Sequence, residues 1–172
     1  MAIVSKTTVA ALAVACISTG CAIVHRPYVS PVASAATAQL RIVDDQNRVL
    51  MPPRTMISTF DDPQSCTNRF WLQSGGPQPG MVTAASATIP AGKPFSVAIH
   101  HLEGAKFCVP VLQFTPIATR HYVARLHVNP ESCVVRLAST ATDERKDERP
   151  EPYQSMKFSN GLSEESSFCR PK

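Results

Sequence analysis

The side chains in this sequence that could do chemistry are a group of histidines in its second half. His100 and His101 are adjacent, and His121 and His127 follow on a segment of alternating apolar and polar residues. If the strands that hold His100, His121 and His127 were neighbours, their imidazoles could share an outer face and bind a metal ion or act as a base. No carboxylate or further ligand at a recognisable spacing completes such a site. The three histidines are therefore weak metal candidates. The favoured interpretation is that His121 and His127 belong to an ordinary polar strand face, and no cofactor is predicted.

Recognisable catalytic motifs are absent from the rest of the sequence. There is no G-x-S-x-G, P-loop, H-E-x-x-H or dinucleotide fingerprint. Asp44-Asp45 and Asp61-Asp62 lie beside turn-forming residues, where aspartate caps the backbone. The net charge of +4 is too small a surplus to indicate a nucleic-acid partner. We predict no catalytic residue and consider an enzyme the less favoured interpretation.

Four cysteines lie in the body of the sequence, and their even number suits two disulfides in an oxidising compartment: Cys66, Cys108, Cys133 and Cys169. Three pairings are possible. The alternation places Cys108 on a strand face with Phe114 and Cys133 on one with Leu137, so both are expected to point at the core. This favours a Cys108–Cys133 bridge. The remaining Cys66–Cys169 bridge would then pin the C-terminal segment to the body.

The N-terminal residues predict export. After Lys6, an uncharged and mostly apolar run from Thr7 to Ile17 is too short for a bilayer span of about 20 residues and suits a signal peptide over 1–20. The residues around Gly20-Cys21 resemble the bacterial lipobox, although Ser18 stands where an aliphatic residue is usual. The resemblance implies cleavage before Cys21 and acylation of that cysteine, for example with palmitate.

Two other processing sites compete with Cys21. Cys16 is a weaker lipidation site, and Ala33-Ser34-Ala35 is a candidate for ordinary secretory cleavage. The second lies far beyond the apolar run, which makes cleavage there the less favoured alternative. We expect residues 21–38, with two prolines and a run of small side chains, to form the lipid anchor and a flexible tether.

The elements that must position these residues are strands. Fifteen prolines from Pro27 onward exclude long helices there, and short alternating segments such as Phe95–Ile99 and Arg120–Val128 are separated by turn residues. The sequence thus predicts an all-β fold: a small, disulfide-braced antiparallel β sandwich, immunoglobulin-like or related, of six to eight strands. It spans residues 39–138, and residues 139–172 form a charged loop and a C-terminal segment.

Within this body, Ile89-Pro90-Ala91-Gly92-Lys93-Pro94-Phe95, then Phe107-Cys108, Phe114-Thr115-Pro116, Tyr122 and Cys133 occur in order. This pattern resembles a group of small, uncharacterised bacterial lipoproteins over roughly residues 38–138. One departure is that Ile117-Ala118-Thr119-Arg120 follows the "FTP" turn, where the group usually has an acidic residue and a glycine. The resemblance implies an exported β domain and no particular activity.

Together these features predict a lipid-anchored protein on the periplasmic side of the bacterial cell envelope. The outer membrane is favoured over the inner one, which stays an alternative. The expected role is a non-enzymatic binding or structural module whose partner is an envelope protein or a cell-wall component. The alternative is a small periplasmic metal-binding protein or enzyme that uses the histidine face.

Overall fold

The protein is described by a computed structural model for residues 26–32, 34–45, 55–72, 84–140 and 147–171. These ranges contain twelve strands and no α-helix, and therefore no helix that could span a bilayer. The predicted signal peptide, the predicted lipidation site at Cys21 and the competing candidate Cys16 lie outside the described residues. In chain order the strands are β1 (Thr37–Asp44), β2 (Thr55–Asp62), β3 (Thr67–Trp71), β4 (Ala84–Pro90), β5 (Phe95–Glu103), β6 (Lys106–Cys108), β7 (Val111–Phe114), β8 (His121–Val128), β9 (Cys133–Thr140), β10 (Arg149–Pro150), β11 (Gln154–Phe158) and β12 (Cys169–Pro171).

The strands form two sheets, so the predicted all-β sandwich is confirmed. The five-stranded sheet has the order β10-β9-β8-β1-β4. The seven-stranded sheet has the order β12-β11-β7-β5-β2-β3, and β6 pairs with the end of β5. All pairs are antiparallel except β1 with β8, which is parallel. The predicted hairpin of β8 and β9 is present.

The inner core lies between the two sheets and follows the alternation of the sequence. Every second residue of β8 and β5 points into it: Tyr122, Ala124, Leu126 and Val128 from β8, and Phe95, Val97 and Ile99 from β5. Leu40 and Ile42 of β1 add to the same cluster. Because side chains alternate between the faces of a strand, a period of two is enough to bring these residues together.

The seven-stranded sheet is also covered on its outer face. A second cluster there contains Phe60, Met156 and Phe168 together with the Cys66–Cys169 bridge. Ser96 and Ala98, which alternate with the inward residues of β5, are consequently buried as well. We call the C-terminal residues 156–169 and the Cys66 turn that they cover the outer layer.

Both disulfides have the pairing that the strand faces favoured, Cys66–Cys169 and Cys108–Cys133. The environment of the second bridge differs from the expectation. Cys108 and Cys133 are only half-buried, at the last residue of β6 and the first residue of β9, although Cys133 still packs against the inner core.

Two boundaries of the domain also differ from those expected. The sandwich begins at Thr37 and not at Gln39, and part of the expected tether contacts the body, since Pro27 forms a parallel bridge with Trp71. At the other end β9 continues to Thr140, and the C-terminal segment contributes β11 to the seven-stranded sheet. The expected six to eight strands are too few: nine strands lie between Thr37 and Thr140, and three short strands with few apolar residues follow.

Candidate functional site

The three candidate histidines do not come together. His100 projects from the outer face of the seven-stranded sheet, whereas His121 and His127 lie on β8 of the other sheet and point away from the inner core. The imidazole of His127 lies 3.8 Å from Asp45. No group of three or more potential metal ligands occurs among the described residues. Their geometry therefore does not support a shared histidine site.

His100 does meet a serine, but in a closed environment. A hydrogen bond of 2.9 Å joins its Nε2 to Ser58 Oγ, and both side chains are buried. The rings of Trp71 and Phe158 lie 5.2 and 5.1 Å from the imidazole. Burial, helped by the charge of Arg69, lowers the pKa of His100 to about 3. A general base works best with a pKa near the operating pH, so this pair suits a structural role and not the activation of Ser58 as a nucleophile.

Beside His100, an ion pair connects the outer layer to β3. The guanidinium of Arg69 donates to Glu164 at 2.6 and 3.0 Å, which is a bidentate contact. The same guanidinium lies 4.6 Å from the ring centroid of Trp71 and 4.2 Å from that of Phe168. The C-terminal segment is thus held to the sheet by charge and aromatic contacts as well as by its disulfide.

The outer edge of β3 is covered. The N–H of Trp71 donates to the carbonyl of Arg26 at 2.8 Å, and the N–H of Tyr28 donates back to the carbonyl of Trp71 at 2.9 Å. The N–H of Arg69 donates to the carbonyl of Glu164 at 2.8 Å. Residues 26–28 and Glu164 therefore satisfy the backbone on this side of the seven-stranded sheet.

The opposite situation holds at β4, the edge of the five-stranded sheet. It pairs with β1 on one side, and the described residues place no strand on its other side. The N–H of Ala91 donates to the carbonyl of Ala36 at 2.9 Å, in register with the β1–β4 ladder. Since hydrogen-bonding directions alternate along a strand, the backbone groups of Ser86 and Thr88 point away from β1.

The sequence of β4 does little to prevent further pairing. Its seven residues are AASATIP, with no charge and with one proline at the very end. Natural edge strands are usually protected by lysine, inward charges, bulges or extreme shortness. The other two sheet ends, β10 and β12, have two and three residues. β4 is therefore the longest edge open to a partner in the described part of the chain.

A groove of about 730 Å³ begins beside this edge. One wall is the segment that starts at Tyr28, and the other is formed by the end of β2 at Phe60 and by the turn at Pro94. Asp61 and Lys93 supply charge in an otherwise mostly apolar lining. Such a lining, with a few polar groups, is typical of sites that bind a ligand by shape.

Tyr28 connects the groove to the strand edge. Its hydroxyl donates to the carbonyl of Thr88 at 2.8 Å, and burial raises the pKa of Tyr28 to about 12, so the hydroxyl stays protonated at neutral pH. Sequence analysis missed Tyr28 because it lies in the segment interpreted as a tether. The available signal was a tyrosine directly after Pro27, in a stretch from Cys21 to Ala38 that has no other Phe, Tyr or Trp.

A smaller cavity of about 460 Å³ lies beside the Cys108–Cys133 bridge. Phe107 and Val134, both partly exposed, border it together with Lys157.

No protein-family model matches this chain, and no curated protein is significantly similar to it. The surfaces themselves are consequently the basis for any functional argument.

Proposed function

We propose that this chain is an exported, lipid-anchored envelope protein whose β sandwich works as a non-enzymatic binding module. The observation that supports this proposal most directly is the uncharged, seven-residue edge of β4 beside a mostly apolar groove. An extended peptide segment of an envelope protein is the ligand that this geometry fits best. Its backbone would pair by strand addition with the outward N–H and carbonyl of Ser86 and the N–H of Thr88, since the carbonyl of Thr88 already accepts from Tyr28.

The proposed site at Cys21 has indirect support from the segment that follows it. Cleavage at the alternative site, Ala33-Ser34-Ala35, would remove residues 26–32 and with them the backbone that covers the edge of β3. It would also remove Tyr28 from the groove and from the end of β4. Cleavage before Cys21 keeps all of these contacts. The two disulfides fit an oxidising compartment such as the periplasm.

The binding proposal is tested with a pair of substitutions at one position. Ser86→Pro removes the outward N–H at the centre of the β4 edge, and proline is tolerated there because that N–H is not part of the β1 ladder. Ser86→Ala removes the same hydroxyl and keeps the N–H. We expect full-length protein with Ser86→Ala to capture the same envelope partner as the wild type, and Ser86→Pro to lose at least tenfold in partner recovered after crosslinking in intact envelopes.

The Cys21→Ser form serves as the control for anchoring in the same experiment. If Ser86→Pro and Ser86→Ala recover equal amounts of every crosslinked partner, β4 is not the binding edge. Thermal unfolding of both variants shows that the fold is retained.

A further inference from the structure

The two disulfides of this protein differ in how easily another molecule can reach them. Cys66 and Cys169 are buried, with 0% and 3% of their surfaces exposed. Cys108 and Cys133 are half-buried, and both line the cavity of about 460 Å³. A thiolate must touch a sulfur atom of a disulfide to exchange with it, so access favours reaction at the Cys108–Cys133 bridge.

Exposed apolar side chains flank this bridge on both sides. Phe107, the neighbour of Cys108, is 55% exposed, and Val134, the neighbour of Cys133, is 42% exposed. Both border the same cavity, which shares no lining residue with the groove beside β4. Exposed apolar surface usually marks an interaction site. Because a disulfide lies between the two apolar residues, a protein that carries a reactive dithiol is the partner that suits this surface.

Lys106 places a positive charge beside the bridge. Lys106 and Cys108 are alternate residues of β6, so their side chains share one face of the strand. The ammonium of Lys106 donates to the carbonyl of Asn129 and, at 3.3 Å, to that of Ser132. Ser132 directly precedes Cys133. A cation close to a cysteine stabilises its thiolate, which makes Cys133 the favoured leaving group in an exchange reaction.

The fold has contacts that can hold the two thiols near each other after the bridge opens. The bridge connects the two sheets, since β6 pairs with β5 of the seven-stranded sheet and β9 belongs to the five-stranded sheet. The hydrogen bonds of Lys106 connect β6 to the β8–β9 turn without using a sulfur atom. The inner core between the sheets and the Cys66–Cys169 bridge also stay in place. Opening should therefore be reversible.

We propose that the Cys108–Cys133 bridge is a thiol–disulfide exchange site for a dithiol protein. A thiolate of the partner attacks Sγ of Cys108, a mixed disulfide forms, and Cys133 leaves as a thiolate. The second thiolate of the partner then attacks its own sulfur in the mixed disulfide and releases Cys108. Two electrons pass to this chain, the protons of the partner's two thiols end on Cys108 and Cys133, and the partner becomes a disulfide. This site is independent of the proposed lipid and of the β4 edge.

The test measures how fast each bridge opens in the folded, full-length protein. Reduced thioredoxin is the dithiol probe, free thiols are alkylated at intervals, and peptide mass spectrometry assigns them. We expect alkylation of Cys108 and Cys133 to be about tenfold faster than alkylation of Cys66 and Cys169. Equal rates for the two bridges, or faster opening of Cys66–Cys169, would overturn the proposal.

The direction of attack is tested by trapping the mixed disulfide. A thioredoxin that lacks its second active-site cysteine cannot complete the exchange, so it stays bound to the sulfur atom that it attacks. Peptide mapping of the conjugate should find thioredoxin on Cys108. A conjugate on any other cysteine of this chain would contradict the proposed attack.

A matched pair of variants tests whether the apolar surface binds the partner. Phe107→Ser should slow opening of the bridge by thioredoxin about fivefold, as loss of an aromatic contact does at an interface. Ile117→Ser, at a residue that is 52% exposed and does not line the cavity, should leave the rate unchanged. Dithiothreitol needs no protein contact and should open the bridge equally fast in both variants. Equal rates with thioredoxin, or slower opening of Phe107→Ser with dithiothreitol as well, would refute binding through Phe107.

Discussion

The two faces of the seven-stranded sheet are covered by different kinds of sequence. The inner face packs against the other sheet through strands whose apolar residues alternate regularly, such as Phe95, Val97 and Ile99. The outer face is covered by residues far apart in the chain, where Phe60 meets Phe168 with their ring centroids 6.0 Å apart. The inner core is therefore encoded by local periodicity. The outer layer depends instead on contacts between the C-terminal segment and residues far earlier in the chain.

The two disulfides should stabilise the fold to different extents, because they close loops of different length. The Cys66–Cys169 bridge spans 103 residues, and the Cys108–Cys133 bridge spans 25. A bridge limits the freedom of the unfolded chain more when its loop is longer. The outer layer should thus depend strongly on its disulfide, and the inner core should depend mainly on packing.

Removal of the long bridge has the largest expected effect. The double variant Cys66→Ala/Cys169→Ala should lose about 4.7 kcal/mol of unfolding free energy, against about 3.5 kcal/mol for Cys108→Ala/Cys133→Ala, by the chain-entropy relation. Urea denaturation of both variants measures the difference. Limited proteolysis should cut within residues 159–168 only in the first variant. Equal cutting in both variants would show that the outer layer is not held by its own bridge.

Acid should weaken the outer layer through His100. Its pKa of about 3 in the folded protein lies below its usual value of 6.5, so the unfolded chain binds more protons between these values. The stability that neutral His100 contributes is fully present above pH 6.5, and it falls by about 1.4 kcal/mol per pH unit as the pH drops towards 3. Unfolding free energy measured from pH 7 to pH 4 gives this slope.

His100→Gln cannot titrate and should flatten that slope, at a cost in stability at pH 7. The same substitution at the exposed residue His121 is the matched control. A slope in His100→Gln as steep as in the wild type would assign the acid sensitivity to other groups.

A smaller effect is expected from the packing of the outer layer itself. A Cβ added at Gly161 would lie 2.4 Å from Ser166 Cβ and 2.7 Å from the ring of Phe168. Gly161→Ala should therefore cost about 1–3 kcal/mol, as overpacking usually does. Gly104→Ala is a useful comparison because space there is open and only the positive φ of 58° opposes it. Protection of the Phe168 amide should fall in Gly161→Ala and not in Gly104→Ala.

The inner half of the fold could be predicted from sequence because its signal is local. The inward residues of β8 followed from alternation, and so did the Cys108–Cys133 pairing, which left Cys66 to pair with Cys169. Val123, which alternates with the inward residues of β8, is buried as well, and alternation carries no information about what covers the second face of a strand. The parallel pairing of β1 with β8 has no local signal either.

The candidate site was harder to predict for the same reason. The edge of β4 is open because no other strand of the described ranges pairs with it, and no residue type within β4 indicates this. The role of Tyr28 depends on its contact with Thr88, sixty residues later in the chain. The burial of His100 could not be predicted either, because Phe158 and Trp71, which bury it, come from distant segments.

The proposed anchor at Cys21 determines how the edge of β4 and its groove are presented to a partner. Mass spectrometry of the mature N-terminal peptide from native membranes tests this anchor most directly. The account predicts a peptide that begins at Cys21 and carries a thioether-linked diacylglycerol. An unmodified terminus near Ala36, or a chain that retains Met1, would contradict it.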